Sequence, residues 1–426
     1  MKKTILTAGA VALTASAASA AGIERTANDY GVLFQDGDQA NVSISIVNPT
    51  ISGKYTDEVR GAGRNLGVDG GGKKSSGNMA NSYVSVSASY KKDFGENLSF
   101  GLFLSDGYGA DASYEEGFYT GLTADWDSNQ VSAILRYGIS DRISVYGGPR
   151  YVKSSADIAI PGQFFAASAA TSAQDAQTAI AALTAAGAPA DHPDLLLAQA
   201  GLARAGAVLA GYAANPDAFN YTAEGEESGD WGYVLGAAYE IPDIALRVAL
   251  TYESSITHEF DTTEVLTGFG ILGAKSKTKV EMPQSVKLDF QTGVAKDTLV
   301  FGSVKWTEWS KWEVRTEQYE EITGSEITGF DNDVITWRLG VGRKFNEQAS
   351  GFAQVRYEKA DGGEASRLAP TDGMLAFGLG GQYTNDNVSM RGGIEYVKLG
   401  DAEVADGSKF EGNSAFGFGL SVKMTF

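Results

Sequence analysis

The last eleven residues, Phe416-Gly417-Phe418-Gly419-Leu420-Ser421-Val422-Lys423-Met424-Thr425-Phe426, place a large apolar side chain at every even position and a small or polar one at every odd position. Successive side chains of a strand point to opposite faces, so this segment has one oily face and one wettable face. A run of about ten such residues is the mark of a strand that crosses a bilayer with water on its other side. The pattern recurs upstream. Val84, Val86, Ala88 and Tyr90 alternate with Ser85, Ser87 and Ser89; Leu246, Val248, Leu250 and Tyr252 with Arg247, Ala249 and Thr251; Ile335, Trp337, Leu339 and Val341 with Thr336, Arg338, Gly340 and Gly342. A soluble β-sandwich is the competing reading, but it buries its apolar faces in a shared core and keeps charge outside.

The connections separate the two readings. Short turns at 91–97, 138–142, 240–243, 295–297, 346–348 and 384–387 alternate with long polar stretches at 56–80, 107–121, 159–229, 261–276, 316–333, 359–372 and 398–413. Six turns and seven loops imply fourteen strands, an even number with short turns on one side of the membrane and long loops on the other. Tyr90, Tyr137, Tyr239, Phe345, Tyr383 and Phe426 all fall where a strand meets a short turn or the C-terminus, the place of an interfacial aromatic girdle. The expected fold is therefore all-β, a transmembrane antiparallel β-barrel of fourteen strands over 40–426.

Lys2 and Lys3, an apolar run from Thr4 to Leu13, and Ala18-Ser19-Ala20 have the form of a secretory signal over 1–20. The apolar run is too short to span a bilayer, and no later run reaches about 18 consecutive apolar residues. The chain of 426 residues has no cysteine, so disulfides do not stabilise it. Its formal charge of −19, or −21 without Lys2 and Lys3, argues against nucleic acid and against peripheral binding to anionic lipid. The 53 glycines, 45 aromatics and only 9 prolines suit a large, turn-rich β structure. Residues 21–39 precede the first strand and are long enough to fold back as a small lumenal plug. The Ala-rich stretch 165–214, with Leu183, Leu195, Leu196, Leu197, Leu202 and Val208, predicts short helices in the largest loop, against the alternative of a flexible low-complexity loop.

Met282-Pro283-Gln284, Trp306-Thr307-Glu308-Trp309-Ser310-Lys311-Trp312, Ser105-Asp106-Gly107-Tyr108-Gly109, a mature start at Ala21-Gly22 and the closing Phe-terminated strand give the chain a family likeness. It resembles the FadL/TodX outer-membrane transporters of fatty acids and other hydrophobic compounds. The resemblance implies a barrel in the outer membrane of a Gram-negative bacterium, plugged by an N-terminal hatch. It also implies ligand capture in an outer groove, passage to a lumenal pocket, and sideways exit beside a kinked third strand. Gly107, Tyr108 and Gly109 are the candidates for that kink. Leu266 and Phe269, with the loop helices, are candidates for the groove. Strand parity turns Phe301, Lys305, Trp309 and Arg315 on one strand, and Tyr146 and Arg150 on another, toward the lumen, where a cation would pair with a fatty-acid carboxylate. The family's hatch carries an Asn-Pro-Ala box ahead of the first strand; here Asn48-Pro49-Thr50 lies inside strand one, so a reduced plug is expected.

The implied partners are a fatty acid or other hydrophobic small molecule, the surrounding outer-membrane lipid and lipopolysaccharide, and the barrel-assembly machinery that receives the strand ending in Phe426. No cofactor is expected. Asp36-Gly37-Asp38 and Asp331-Asn332-Asp333 lack the full ligand spacing of a calcium loop and read as acidic turns. A general porin is the rival within transport. An outer-membrane lipase or protease would have to use His192 or His258, the two histidines present, and an adhesion or phage-receptor role would rest on the loops alone.

Overall fold

The computed structural model describes residues 23–426, and the expected signal segment lies outside the described residues. Fourteen strands close into one antiparallel barrel. They are β1 Gln39–Thr50, β2 Tyr83–Phe94, β3 Leu98–Ser105 continued by Gly109–Ser113, β4 Thr123–Gly138, β5 Ile143–Ile160, β6 Tyr221–Ile241 and β7 Leu246–Glu253 continued by Ile256–Leu266. There follow β8 Ile271–Met282 continued by Ser285–Ala295, β9 Thr298–Thr307, β10 Val334–Lys344, β11 Ala349–Glu358, β12 Met374–Asn385, β13 Val388–Leu399 and β14 Ser414–Thr425. Each strand pairs with its neighbours in sequence. The ring is shut by an unbroken register of β1 with β14, from Gln39 opposite Thr425 to Thr50 opposite Ser414. Closure satisfies the edge N–H and C=O groups that hydrocarbon would otherwise leave unpaired.

Alternation sets the two faces as the sequence implies. Val42, Ile44, Ile46, Val84, Val86, Phe416, Phe418, Val422 and Met424 are exposed on the outside, where lipid lies. The six girdle aromatics are exposed as well, by 36–68 %, at the turn end of the barrel. Such a continuous apolar exterior would be an aggregation surface in water and is the stable arrangement in a bilayer.

The outer side departs from expectation in two places. β5 runs to Ile160 and β6 begins at Tyr221, while β7 runs to Leu266 and β8 begins at Ile271, so the loop expected over 261–276 shrinks to a turn at Thr267–Phe269. Above the bilayer the outward face meets water and carries ion pairs such as Lys277 with Asp261 at 2.7 Å. The apolar alternation stops there although strand pairing continues. The helices also differ from expectation. α1 is Asp57–Asn65, α2 Gln163–Ala185, α3 Pro193–Ala214 and α4 Glu317–Thr323. α2 and α3 are long, not short, because no breaker interrupts the alanines until Gly187, Pro189 and Pro193 turn the chain. They form a hairpin in which Ala169 and Ala173 of α2 pack on Leu202, Ala205 and Leu209 of α3. By length and composition α3 could cross a membrane, yet it is the outer-loop arm of this hairpin, begun by His192, whose Nδ1 accepts the Asp194 N–H.

Residues 23–38 lie inside the barrel. Their one regular element is a 3₁₀ turn, Tyr30–Phe34, capped by the Asp29 carboxylate, which accepts the Gly31 N–H at 2.9 Å. Leu33 is fully buried against Gly101 of β3, where a Cβ would collide with it. Phe34 lies between the guanidinium groups of Arg136 and Arg247, 4.7 and 4.9 Å from its ring centre.

Candidate functional site

β3 is the irregular strand, and its irregularity is a matter of counting. From Ser105 to Gly109 it takes four steps while β4 takes three, from Gln130 to Asp127, so β3 carries one extra residue. The excess turns Tyr108 inward, where it is buried and its backbone N–H and C=O both bond to Ser128 Oγ at 2.8 Å. On the other side β3 leaves β2. Pairing stops at Ser87–Ser105 and resumes only at the Asn81–Asp111 contact, which leaves five residues of each strand, 82–86 and 106–110, without ladder pairing. At strand spacing that is an opening about 17 Å long in the barrel wall. Asp106 reaches across its lower end to accept the Val86 N–H at 3.1 Å.

The N-terminal segment takes the place of β2 on the lumenal side of this opening. Gly107 C=O accepts the Arg25 N–H at 2.9 Å, and the Gly109 N–H donates to Ile23 C=O at 2.8 Å. The Arg25 side chain crosses Gly109 so closely that any Cβ there would collide with it. Its guanidinium lies 4.7 Å from the Tyr83 ring centre and 3.5 Å from Asp127. Ion pairs fasten the segment across the lumen. Glu24 receives Lys305 Nζ of β9 at 2.5 and 2.7 Å. Tyr30 donates to Glu253 at 2.7 Å, and Glu253 in turn receives Arg150 at 3.1 Å.

Above the segment lies an apolar chamber of about 30 Å³. It is lined by Ile23, Trp126 of β4, Ile158 of β5, Trp312 and Phe330 of the connection after β9, and Leu368 of the connection after β11. The rings meet mainly edge to face: Trp126 with Trp312 at 6.0 Å and Trp309 with Phe330 at 5.5 Å, as the ring quadrupole favours. Tyr108 packs behind this cluster, its ring 6.3 Å from Trp309, and Ala110, in the unpaired stretch of β3, lines the chamber itself.

The residues nominated from sequence fall on both sides of this arrangement. Phe301, Lys305, Tyr146 and Arg150 face the lumen as parity requires. Phe301 packs under Arg338, and Tyr146 against Phe34. Arg150 is 1 % exposed and already engaged by Glu253, the Ser254 C=O and the Tyr108 hydroxyl. Trp309 is buried in a 3₁₀ turn just beyond β9. Arg315 is a correction. β9 ends at Thr307, so parity does not extend to position 315, and the side chain lies half-exposed in the outer connection, paired with Glu313, Glu320 and Glu326. Leu266 is buried at the end of β7, whereas Phe269 touches Phe165 of α2 and Phe219, joining the turn to the helical hairpin. Gly107, Tyr108 and Gly109 form the bulge. The acidic turns serve protein donors: Asp38 accepts the Asp93 N–H, and Asp333 accepts from Trp306 and Ser310.

The sequence reading missed Trp126, Trp312, Phe330, Glu24 and Glu253. Trp126 shares parity with the lumenal Ser128 and Gln130, a signal that was present. The two glutamates had none, since their partners are hundreds of residues or a whole strand away. Also missed was a hydrogen-bonded chain of Ser154 Oγ, His258 and Asp230 at 3.2 and 3.0 Å. It has the order of a hydrolase triad. Ser154 and His258 are sealed at 2 % and 0 % exposure, and the rings of Trp126 and Phe260 lie against the imidazole, so the chain ties β5, β6 and β7 together.

A closed fourteen-strand barrel with a lipid-facing belt, a lumenal N-terminal segment and an apolar chamber defines an outer-membrane channel for hydrophobic compounds. The family model described as outer membrane protein transport protein (OMPP1/FadL/TodX) matches residues 4–426, and the chain belongs to that family. It is a transport protein of the Gram-negative outer membrane and not an enzyme. Among solved structures it is similar to a Pseudomonas aeruginosa FadL homologue, with 14 % identity and a TM-score of 0.66 over 94 % of this chain and 93 % of that one. It is also similar to the Pseudomonas putida toluene transporter TodX, with 14 % identity and a TM-score of 0.56 over 96 % of each chain. For the Ralstonia pickettii toluene transporter TbuX the figures are 13 % and 0.54, over 92 % of this chain and 90 % of that one. A comparison with curated proteins finds no match.

Proposed function

We propose that the chain passes small hydrophobic molecules from the outer face into the apolar chamber and then sideways through the β2–β3 opening into the membrane, without energy input. The observation that carries this reading is the juxtaposition of chamber and opening: Ala110, in the unpaired stretch of β3, and Ile23, which accepts the Gly109 N–H, both line the chamber. An apolar solute that leaves through the wall enters hydrocarbon directly and avoids the desolvated, charged lower lumen. The preferred solute is uncharged. A fatty-acid carboxylate would need a cation, and the lumenal Arg150 and Lys305 are each held by a glutamate. Among the structural neighbours one is described as a FadL homologue and others as toluene transporters. A long-chain fatty acid is the second reading, favoured by one fact: Glu24 belongs to the N-terminal segment, so a ligand carboxylate replacing it on Lys305 would release one of that segment's ties.

The test is uptake of labelled toluene and labelled oleate by cells lacking their own hydrophobic channels, with this protein or with a Gly107 deletion. Removing one residue returns β3 to a continuous register with β4. Toluene uptake that is restored by the protein and lost in the folded deletion supports lateral exit; undiminished uptake in the deletion refutes it. Oleate uptake without toluene uptake moves the assignment to the second reading.

A further inference from the structure

A second cavity, of about 60 Å³, lies lower in the lumen and combines polar groups with apolar ones such as Val32 and Phe103. One side is Thr26, Ala27, Asn28 and Asp29 of the N-terminal segment; the other is the wall of β1 and β2. Register sets Asn41 opposite Ser89, Ser43 opposite Ser87 and Ser45 opposite Ser85, so alternation delivers six short polar side chains, none of them charged, to one lumenal face. Three atoms of this lining have no hydrogen-bond partner in the protein: Ser85 Oγ, Thr26 Oγ1 and Asp29 Oδ2. Ser85 and Thr26 are 3 % and 6 % exposed, so bulk water does not satisfy them. Ser85 also lies within the stretch of β2 that has lost β3, on the lumenal side of the opening.

The chemistry of these groups selects a ligand class. Asp29 accepts hydrogen bonds only, while the serine and threonine hydroxyls both donate and accept. Arg338 and Arg391 lie within electrostatic reach of Asp29, which disfavours a cation there, and the carboxylate itself disfavours an anion. A neutral hydroxyl fits both conditions, donating to Asp29 and accepting from Ser85 or Thr26. One water-sized group needs about 10–15 Å³ by this measure, so the cavity holds on the order of four, enough for an alcohol or phenol end with its adjoining atoms.

We propose that this cavity is a hydroxyl-binding subsite beside the exit, and that the solutes carried include amphipathic ones with an apolar body and one alcohol or phenol group. The proposal rests on the channel reading above and narrows it. The experiment measures uptake of labelled toluene and labelled benzyl alcohol in the same cells, corrected for cells without the protein. The variants are Thr26→Val/Ser85→Ala and, as a conservative rescue, Ser85→Thr, each checked for folding by heat-modifiable gel mobility. Passage of both solutes, with the ratio of benzyl alcohol to toluene uptake reduced about tenfold in the double variant and kept in Ser85→Thr, is the expected result. An unchanged ratio overturns the subsite and leaves a cavity that only holds water. Passage of toluene but not benzyl alcohol by the wild-type protein overturns the subsite while the channel reading stands, and passage of neither overturns both.

Discussion

Glu253→Ala isolates what the lumenal ion pairs contribute. In the wild-type protein Glu253 holds Arg150 at 3.1 Å and accepts the Tyr30 hydroxyl at 2.7 Å. Arg150 is 1 % exposed and keeps only the Ser254 C=O and a 3.4 Å contact with Tyr108 once the carboxylate is gone. Leaving a buried cation without its counter-charge costs about 3–5 kcal/mol. Losing the Tyr30 bond adds about 1 kcal/mol. The single variant is therefore expected to lose about 4–6 kcal/mol. Arg150→Met/Glu253→Ala removes the orphaned charge along with the pair and is expected to lose only about 1–2 kcal/mol, since replacing both members of a buried pair is close to neutral. Urea titration of the protein folded in lipid bilayers measures both, with Arg150→Met alone completing the double-mutant cycle and protease sensitivity of the N-terminal segment followed in parallel. A coupling energy between the two positions of about 2 kcal/mol or more is the expected outcome. A coupling below about 0.5 kcal/mol would refute the claim that Arg150 and Glu253 form a buried pair that holds the acceptor of Tyr30 in place.

Other outcomes follow from the same geometry. Trp312→Ala enlarges the apolar chamber at a stability cost of about 3–5 kcal/mol and shifts uptake toward bulkier hydrocarbons, read from the ratio of labelled p-cymene to toluene. Gly109→Val drives the Arg25 side chain off the bulge, so a fluorophore near position 25 should gain mobility by anisotropy while the barrel keeps its far-ultraviolet circular dichroism. Arg315→Ala removes three outer ion pairs, each worth less than about 1 kcal/mol, and leaves solute uptake within about twofold. Asp38, at the turn end of the barrel, is held below the usual carboxylate range first by the Asp93 N–H and then by Lys92. Its contribution is therefore complete above about pH 3.9 and is lost as the pH falls through its lowered value. Amide exchange at Asp93 should accelerate over that interval, and Asp38→Asn should abolish the dependence.

The barrel was legible because its signal is local. Phe416 to Phe426 states its own two faces, and β1 to β14 repeat that statement in different letters. The bulge was half legible: Gly107 and Gly109 marked a soft place, but the single extra residue exists only relative to β4. Arg315 misled because Trp312-Glu313-Val314-Arg315 keeps an alternating look after the strand has ended at Thr307. Leu266 and Phe269 were assigned to a loop because water replaces lipid above the bilayer and the apolar alternation lapses while the ladder continues. The ion pairs Lys305–Glu24 and Arg150–Glu253 join positions 281 and 103 residues apart, and no sequence pattern names such a partner.

The contacts of the N-terminal segment fix when it can be placed. Ile23 and Arg25 need β3, Tyr30 needs β7 and Glu24 needs β9, so the residues that emerge first find their last partner about 280 positions later. Loop-closure entropy makes such distant contacts late. During assembly the lumen is therefore expected to stand open until most of the wall exists, and the seam of β1 with β14 forms around a segment that has not yet settled. The occlusion of the finished channel is then the closing event of its folding, and weakening Glu24 or Glu253 should delay that event without slowing strand insertion.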